Sequence, residues 1–331
     1  MSGYTTSISI QDAYKPDTQS FSSDHSSAKI VNKIIQEISY KKEQYEYNKE
    51  EIREILLNLP GEEFYKYYQD RETFEEIPLL TNDGIVIPKI GLRDALSLEE
   101  YVNNVPTMIG SNRDEVKFWL AFSEYFVELD FSISGSILGL PKINLKDEDA
   151  YEAFNYYRSS AWKVRGVDEP LNALSKAGNN KLFSYRFDWD DQRRFVIADF
   201  KQLFGATHAL EVPLLAGDKT LVGGRPVSNF IYPRGISYFF ISRNMMKFWT
   251  NFAKNNDPGF SSNNVQWKPY IKSTSDENYF LILDNKKNLK MSSELLSLKD
   301  LTRELFYDKR LNETEKWVIL YQMFTFVGND L

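Results

Sequence analysis

The chain has 331 residues, of which 42% are hydrophobic and 15% aromatic, so it can bury a sizeable core and is too apolar for a disordered protein. Its net charge of -7 leaves no basic surplus for phosphates, which argues against nucleic acid as a partner. The absence of cysteine excludes disulfides, thiolate metal sites and a cysteine nucleophile.

The first residues have neither the basic region nor the apolar core of a signal peptide, and no run of about 18 apolar residues follows them. We therefore expect a soluble chain without a membrane span, cytoplasmic by default. A longer parent protein could still be exported, so the sequence leaves the compartment open.

The first predicted elements are two amphipathic helices between residues 28 and 57, where apolar residues recur at helical spacing. Leu-Pro-Gly at 59–61 ends the second helix. Segment 78–88 carries Asp83 and a glycine between two short apolar runs, which predicts a β-hairpin. Segment 105–110 is a short apolar run bounded by proline and glycine, which predicts a strand buried on both faces inside a parallel sheet.

The rest of the chain alternates between helical and strand patterns. Helical spacing predicts helices in 145–177 and 241–253, and the strand patterns lie in 181–189 and 278–284. At 312–315, an asparagine followed three residues later by a glutamate predicts the cap of a terminal helix. Strands separated by helices predict an α/β architecture, which we expect to be a single domain over residues 1–331.

Histidine is the residue type best suited to act as a general base near neutral pH, and the chain has two. His25 lies in a serine-rich run that is typical of a solvated loop. His208 lies in Gly205-Ala-Thr-His-Ala-Leu-Glu-Val-Pro213 and is the candidate base. Such a base needs a carboxylate to orient it. Glu115 is the candidate, because it follows the predicted strand 105–110 at the carboxyl end, where open α/β sheets place their sites.

A lone histidine and a distant glutamate allow a structural role equally well, but several segments resemble the type-B carboxylesterase and cholinesterase family. Segment 106–115 is similar to the family's apolar strand followed by Gly, a small residue, Asn, a basic residue, Asp and Glu. Segment 205–213 is similar to its Gly-Ala-x-His-x-x-Glu-Leu-Pro. The resemblance is strongest over residues 80–270. Its other segments, in the family's order, are Asp83-Gly-Ile-Val-Ile-Pro88, Phe183-Ser-Tyr-Arg-Phe-Asp188, Phe248-Trp-Thr-Asn-Phe-Ala253 with Asp257-Pro258, and Trp267-Lys-Pro-Tyr270.

The resemblance implies the C-terminal portion of an α/β-hydrolase fold, a mostly parallel sheet flanked by helices, without the N-terminal strands and the nucleophile elbow. Glu115 matches the acid and His208 the base of a Ser-Glu-His triad. Phe118 and Trp119 match aromatics that line the substrate pocket, and Glu211 matches an acidic position behind the site. For these last three residues, a role in packing is the alternative.

Two departures from the family pattern matter. Val116 stands where a small residue, commonly glycine, often follows the acid, which leaves the shape of the local turn open. No Gly-x-Ser-x-Gly elbow is present, and Gly135-Ser-Ile-Leu-Gly139 has the glycine spacing with its serine misplaced. Loss of the nucleophile of a hydrolytic triad costs on the order of a millionfold in turnover. We therefore expect no useful esterase activity from the isolated chain.

The expected function is that of a carboxylic-ester hydrolase fragment that contributes acid and base, with no nucleophile, metal or other cofactor of its own. The expected partners are a small-molecule ester in the complete enzyme, and either the missing N-terminal half or a second copy of the chain. An unpaired sheet edge and an exposed apolar face would favour such association. The alternative is a catalytically inactive, truncated or interaction-type member of the same fold.

Overall fold

A computed structural model of the protein describes residues 5, 7–14, 27–38, 47–67, 80–131, 141–221, 224–270, 279–294 and 296–324. Contacts divide the chain into a unit of residues Thr6–Ala95 and a unit of Met1–Thr5 with Leu96–Leu331. The expectation of one domain stays a prediction. His25 and the segment 135–139 lie outside the described residues.

The unit Thr6–Ala95 is mainly helical. The two amphipathic helices predicted between residues 28 and 57 are confirmed as Ser27–Ile38 and Lys49–Asn58, and the latter ends just before Leu59. Its elements are β1 (Ile8–Ser9), α1 (Ile10–Tyr14), α2 (Ser27–Ile38), α3 (Lys49–Asn58), α4 (Gly61–Lys66), β2 (Thr81–Asn82) and α5 (Leu92–Ala95).

The predicted hairpin around Asp83 is wrong. Strand β2 pairs in parallel with β1, and no described strand follows it directly. The reason lies in the aspartate, whose Oδ1 accepts hydrogen bonds from the backbone N–H groups of residues 85, 86 and 87 at 2.8–3.0 Å. These donors are therefore held in a local turn and are not available to a second strand.

The larger unit carries the sheet and its flanking helices. A π-helical turn at Val164–Asp168 joins the two helices that precede the second strand of the main sheet in chain order. The elements are β3 (Thr107–Asn112), α6 (Lys117–Leu120), β4 (Val127–Asp130), β5 (Lys142–Leu145), α7 (Glu148–Lys163), α8 (Glu169–Lys176), β6 (Leu182–Phe187), β7 (Arg194–Phe195), β8 (Ala198–Asp199), α9 (Phe200–Phe204), α10 (Glu211–Ala216), α11 (Gly224–Ile231), α12 (Ile236–Asn255), β9 (Phe280–Leu283), β10 (Lys290–Ser292), α13 (Leu298–Tyr307) and α14 (Glu313–Phe324).

The main sheet is mostly parallel, as expected. Its order is β10-β9-β6-β3, with β3, β6 and β9 parallel and β10 antiparallel. The predicted strands in 105–110, 181–189 and 278–284 are confirmed as β3, β6 and β9. Strand β3, however, is an end strand of the described sheet and is buried only in its last three residues, so burial along its whole length was wrong.

Helices cover both faces of the sheet because strand side chains alternate between them. On one face, Met245 and Phe248 of α12 pack with Tyr185 of β6 in one core cluster. On the other, Leu171 of α8 packs with Leu182 of β6. The predicted helix 241–253 is thus part of α12, which begins at Ile236.

Helices α7, α13 and α14 share a further core cluster. Its last helix has the predicted cap, since Asn312 Oδ1 accepts from Glu315 N at 3.0 Å and Glu315 Oε2 accepts from Asn312 N at 2.7 Å. Among the helices in the described ranges, none combines the length and the apolar character needed to cross a membrane.

Candidate functional site

The acid turn, residues 113–116, follows β3 directly. Glu115 is fully buried there, and its Oε1 accepts a hydrogen bond from the backbone N–H of Asn112 at 2.7 Å. Val116 has φ -87° and ψ -8°, a conformation open to any residue, so the turn does not require the glycine that is common at this position.

The histidine loop, residues 205–210, lies against the acid turn. The backbone N–H of His208 donates to the carbonyl oxygen of Glu115 at 3.2 Å. The side chains also meet: Nδ1 of His208 lies 2.7 Å from Oε2 of Glu115, and about a third of the His208 side chain (34%) is exposed. The two residues singled out from the sequence are therefore brought into direct contact.

The electrostatics of this contact favour a charged imidazole. Its hydrogen bond to Glu115 raises the pKa of His208, although burial acts in the opposite direction. With its proton on Nδ1 facing the carboxylate, the ring presents Nε2 as the nitrogen that can accept a proton. The arrangement can therefore hold one tautomer and stabilise the imidazolium.

Glu211 is connected to the contact between His208 and Glu115 through Asn112, which bonds Glu211 by its side chain and Glu115 by its backbone N–H. The side-chain nitrogen of Asn112 donates to Glu211 Oε2 at 2.7 Å and to the carbonyl oxygen of Thr207 at 2.6 Å. Burial raises the pKa of Glu211, and the hydrogen bond from Asn112 partly offsets this. Asn112 therefore links both carboxylates to the histidine loop. The sequence reasoning missed Asn112, which appeared only as one residue of segment 106–115.

Two indole rings flank the imidazole. The ring centroid of Trp119 lies 5.2 Å from that of His208, and the ring of Trp162 lies 5.6 Å away. Phe118 contacts Trp119 edge to face at 5.8 Å and is 43% exposed. Trp162 was missed by the sequence reasoning, since a tryptophan at helical spacing in 145–177 resembles any core residue.

Asp114 joins the acid turn to the histidine loop. Its Oδ2 accepts from the backbone N–H of Ala206 at 2.9 Å and from Arg113 at 2.7 Å, and its Oδ1 accepts from Asn155 at 2.7 Å. Burial is the largest single effect and favours its neutral form. The charges of Arg113 and Lys117 and the hydrogen bonds from Arg113 and Ala206 together outweigh burial and hold the pKa of Asp114 below its ordinary value. This residue too was missed, although it precedes the predicted acid.

Substitution of Gly205 tests how closely the two loops fit. Gly205 has φ 51° and ψ -141°, and a Cβ at this position would lie 2.4 Å from Asp114 Oδ2. We expect Gly205→Ala to lower the free energy of unfolding by about 3 kcal/mol or more, because backbone strain and overpacking add. Urea unfolding followed by circular dichroism measures the change.

Gly178→Ala is the matched control for Gly205→Ala. Gly178 also has a positive φ of 93°, but nothing lies within 4 Å of its added Cβ. Only strain should act there, which costs on the order of 1–2 kcal/mol. Equal losses in the two variants would show that the contact with Asp114 is loose and would contradict the close fit.

A separate cavity of about 490 Å³ is lined in part by residues of the acid turn. Its lining includes Arg113, Asn155 and Lys163, but neither His208 nor Glu115. The base and acid therefore do not open into this cavity. Across the described residues, no group of three or more histidine, aspartate or glutamate side chains is placed to hold a metal ion.

Comparison with known proteins gives a family match for part of the chain and a fold. Residues 141–299 match the model of the carboxylesterase family. A solved structure titled PNB esterase is 17% identical with a TM-score of 0.52, over 91% of this chain and 56% of that one. Another, titled thermophylic PNB esterase, is 16% identical with a TM-score of 0.49, over 90% of this chain and 55% of that one. No curated protein matches the sequence.

The chain thus spans little more than half the length of these solved structures. At 17% identity, the likeness to the first shows the fold. The family match includes His208 and Glu211, while Glu115 lies before it. The match thus relates residues 141–299 to the carboxylesterase family, and the chain has the fold of the C-terminal part of an α/β hydrolase.

Proposed function

We propose that the chain contributes the acid and the base of a Ser-Glu-His triad to a carboxylic-ester hydrolase, whose serine lies on another polypeptide segment. The observation that carries the proposal is the 2.7 Å contact between Nδ1 of His208 and Oε2 of the fully buried Glu115. A histidine held by a buried carboxylate, with part of its ring exposed, is the arrangement that general-base catalysis needs.

In this proposal, Nε2 of His208 takes the proton of the serine hydroxyl while the serine oxygen forms a bond to the ester carbonyl carbon. The tetrahedral intermediate collapses, the alcohol oxygen leaves, and the imidazolium returns the proton to it. Water then attacks the acyl-serine by the same route, which releases the carboxylic acid and the serine. Glu115 orients the ring and stabilises its charged form in both halves.

The other predicted residues take supporting roles. Trp119 and Phe118 would form an apolar wall for the substrate, supported by the contact of Trp119 with the imidazole and by the exposure of Phe118. Glu211 would fix Asn112, which donates its backbone N–H to Glu115. The acid turn would then keep its shape while the imidazole changes charge.

Strand β3 supplies a place where a serine-bearing segment could attach. Its alternate amides face β6, as the bonds from Thr107 N to Lys181 O (2.9 Å) and from Arg113 N to Phe187 O (2.8 Å) show. The amides of Met108 and Gly110 therefore face the other side, where no described strand pairs with β3. A parallel strand added there would end beside the acid turn, where α/β sheets place their sites.

The experiment begins with the DNA upstream of the coding sequence, which is read in all frames for a Gly-x-Ser-x-Gly elbow and a Gly-Gly loop. The encoded segment is then co-expressed with this chain and assayed on p-nitrophenyl acetate. We expect hydrolysis by the pair and none by the chain alone. If no such segment is encoded, or if the co-purified pair is inactive, the proposal fails.

An inactive, interaction-type member of the fold is the second candidate. It is favoured by the lack of a Gly-x-Ser-x-Gly elbow in the sequence. Under this reading, His208 and Glu115 serve only to join their two loops. A stable complex with the upstream segment that shows no hydrolysis would support it.

A further inference from the structure

We propose that Trp162 is a positioning residue, which together with Trp119 holds the imidazole of His208 in the orientation that faces Glu115. The inference rests on the proposed function for its catalytic meaning, but the packing that carries it does not depend on a serine. Neither the family resemblance nor the match to known structures assigned a role to Trp162.

The three rings form one cluster. Trp119 and Trp162 are stacked, with centroids 6.1 Å apart and planes 23° from parallel. The imidazole packs against both, tilted by 32° to Trp119 and by 47° to Trp162. A change in the imidazole orientation would therefore disturb contacts with two large rings that also support each other.

The two indoles come from different elements, which makes the cluster a clamp. Trp119 lies on the short helix α6, directly after the acid turn, while Trp162 lies on the long helix α7. Helix α7 packs with α13 and α14 in one core cluster, and its end is joined to the π-helical turn that follows by the buried ion pair between Lys163 and Asp168 at 2.7 Å. Trp162 therefore contributes the more firmly held side of the clamp.

The histidine loop needs such support. Ala209, the residue after the histidine, has φ 62°, a region that residues with a side chain rarely adopt. A loop held in this conformation depends on its surroundings to keep it there. The side-chain contact with Glu115 restrains the imidazole at one nitrogen, and packing against the ring faces restrains its rotation.

The indoles also act on the charged state of the ring. The charged groups that act on His208 are Glu115 of the acid turn and Glu211 of α10. A tryptophan face adds attraction for a cation, and this attraction grows as the site loses water. Removal of the indole at position 162 should therefore make the charged form of His208 less stable, even though the contact with Glu115 remains.

The test uses the isolated chain, because it needs no catalysis. The chain has two histidines, so His25→Gln leaves His208 as the source of the one histidine ring signal in proton NMR. In this background we compare Trp162→Leu and Trp162→Phe, with Trp317→Leu as the matched control. Trp317 lies on α14 and is 60% exposed.

We expect Trp162→Leu to move the Hε1 resonance of His208 downfield, as a ring current is lost, and to lower the pH at which it titrates. Trp162→Phe should keep the Hε1 shift and the titration pH closer to their parent values, and Trp317→Leu should change neither. In the complemented enzyme, which is this chain co-expressed with the upstream serine-bearing segment, Trp162→Leu should lower kcat by about 10- to 100-fold, with a smaller change in KM.

An unchanged Hε1 shift and titration in Trp162→Leu would overturn the proposal. If Trp162→Leu does not fold, Trp162→Phe is the test, because its smaller ring should still give a measurably smaller ring-current shift than the indole. An Hε1 shift in Trp162→Phe equal to that of the parent would overturn the proposal equally. If the NMR changes in the Trp162 variants are as expected but the complex with the upstream segment is inactive, the proposed function alone fails.

Discussion

His208→Ala should lower kcat of the complemented enzyme by about 10⁶-fold, the loss that follows removal of the base from a hydrolytic triad. Without the imidazole, the serine hydroxyl has no acceptor for its proton and the leaving alcohol has no donor. KM should change much less, because the ring contributes little to binding of the uncharged ester. Initial rates on p-nitrophenyl acetate, with the two segments at fixed concentration, measure the effect.

The matched control is His25→Ala, which removes the other histidine of the chain and should leave the rate within twofold. His208→Ala also leaves the fully buried Glu115 without its side-chain partner, which costs on the order of 1–3 kcal/mol of stability. Circular dichroism must therefore show that the variant is folded, and His208→Gln, which refills part of the space, should be equally inactive. Activity that survives in either folded variant would remove His208 from the mechanism.

The elements of the main sheet could be predicted because their patterns are local. Strand β6 alternates between two apolar faces, and Asn312 with Glu315 forms a cap within one turn. The failure at Asp83 is equally local. One carboxylate oxygen captures three backbone N–H groups, and the apolar residues on either side give no sign of this competition.

The contact between base and acid could be anticipated only in outline. The position of Glu115 after β3 predicted which edge of the sheet would carry it, since the carboxyl ends of parallel strands meet there. The bridges that complete the site join residues far apart in the chain, such as Asp114 to the N–H of Ala206 (92 positions) and Asn112 to Glu211 (99 positions). Hydrogen bonds of this range leave no periodic pattern in the sequence.

Glu115→Gln should lower kcat of the complemented enzyme by about 10⁴-fold while it leaves the shape of the site unchanged. The backbone N–H of Asn112 donates to Oε1 of Glu115, so the oxygen of a glutamine would remain on that side. Its amide nitrogen would then face Nδ1 of His208, where Oε2 of the carboxylate lies now. An amide nitrogen can only donate, so the imidazole must accept at Nδ1 and carry its proton on Nε2. In that tautomer it cannot take the proton of the serine.

The pH dependence distinguishes this explanation from a loss of structure. Glu115 raises the pKa of His208 in the folded chain, so the stabilisation is present below the unfolded pKa of about 6.5 and is lost as the pH rises through the folded pKa. Glu115→Gln should therefore destabilise the chain more at about pH 6 than at about pH 9, as measured by urea unfolding. Glu128→Gln, which changes an exposed glutamate of β4, should show neither this dependence nor a loss of rate. A glutamine variant within tenfold of the parent rate would mean that Glu115 joins the two loops but does not select the tautomer of His208.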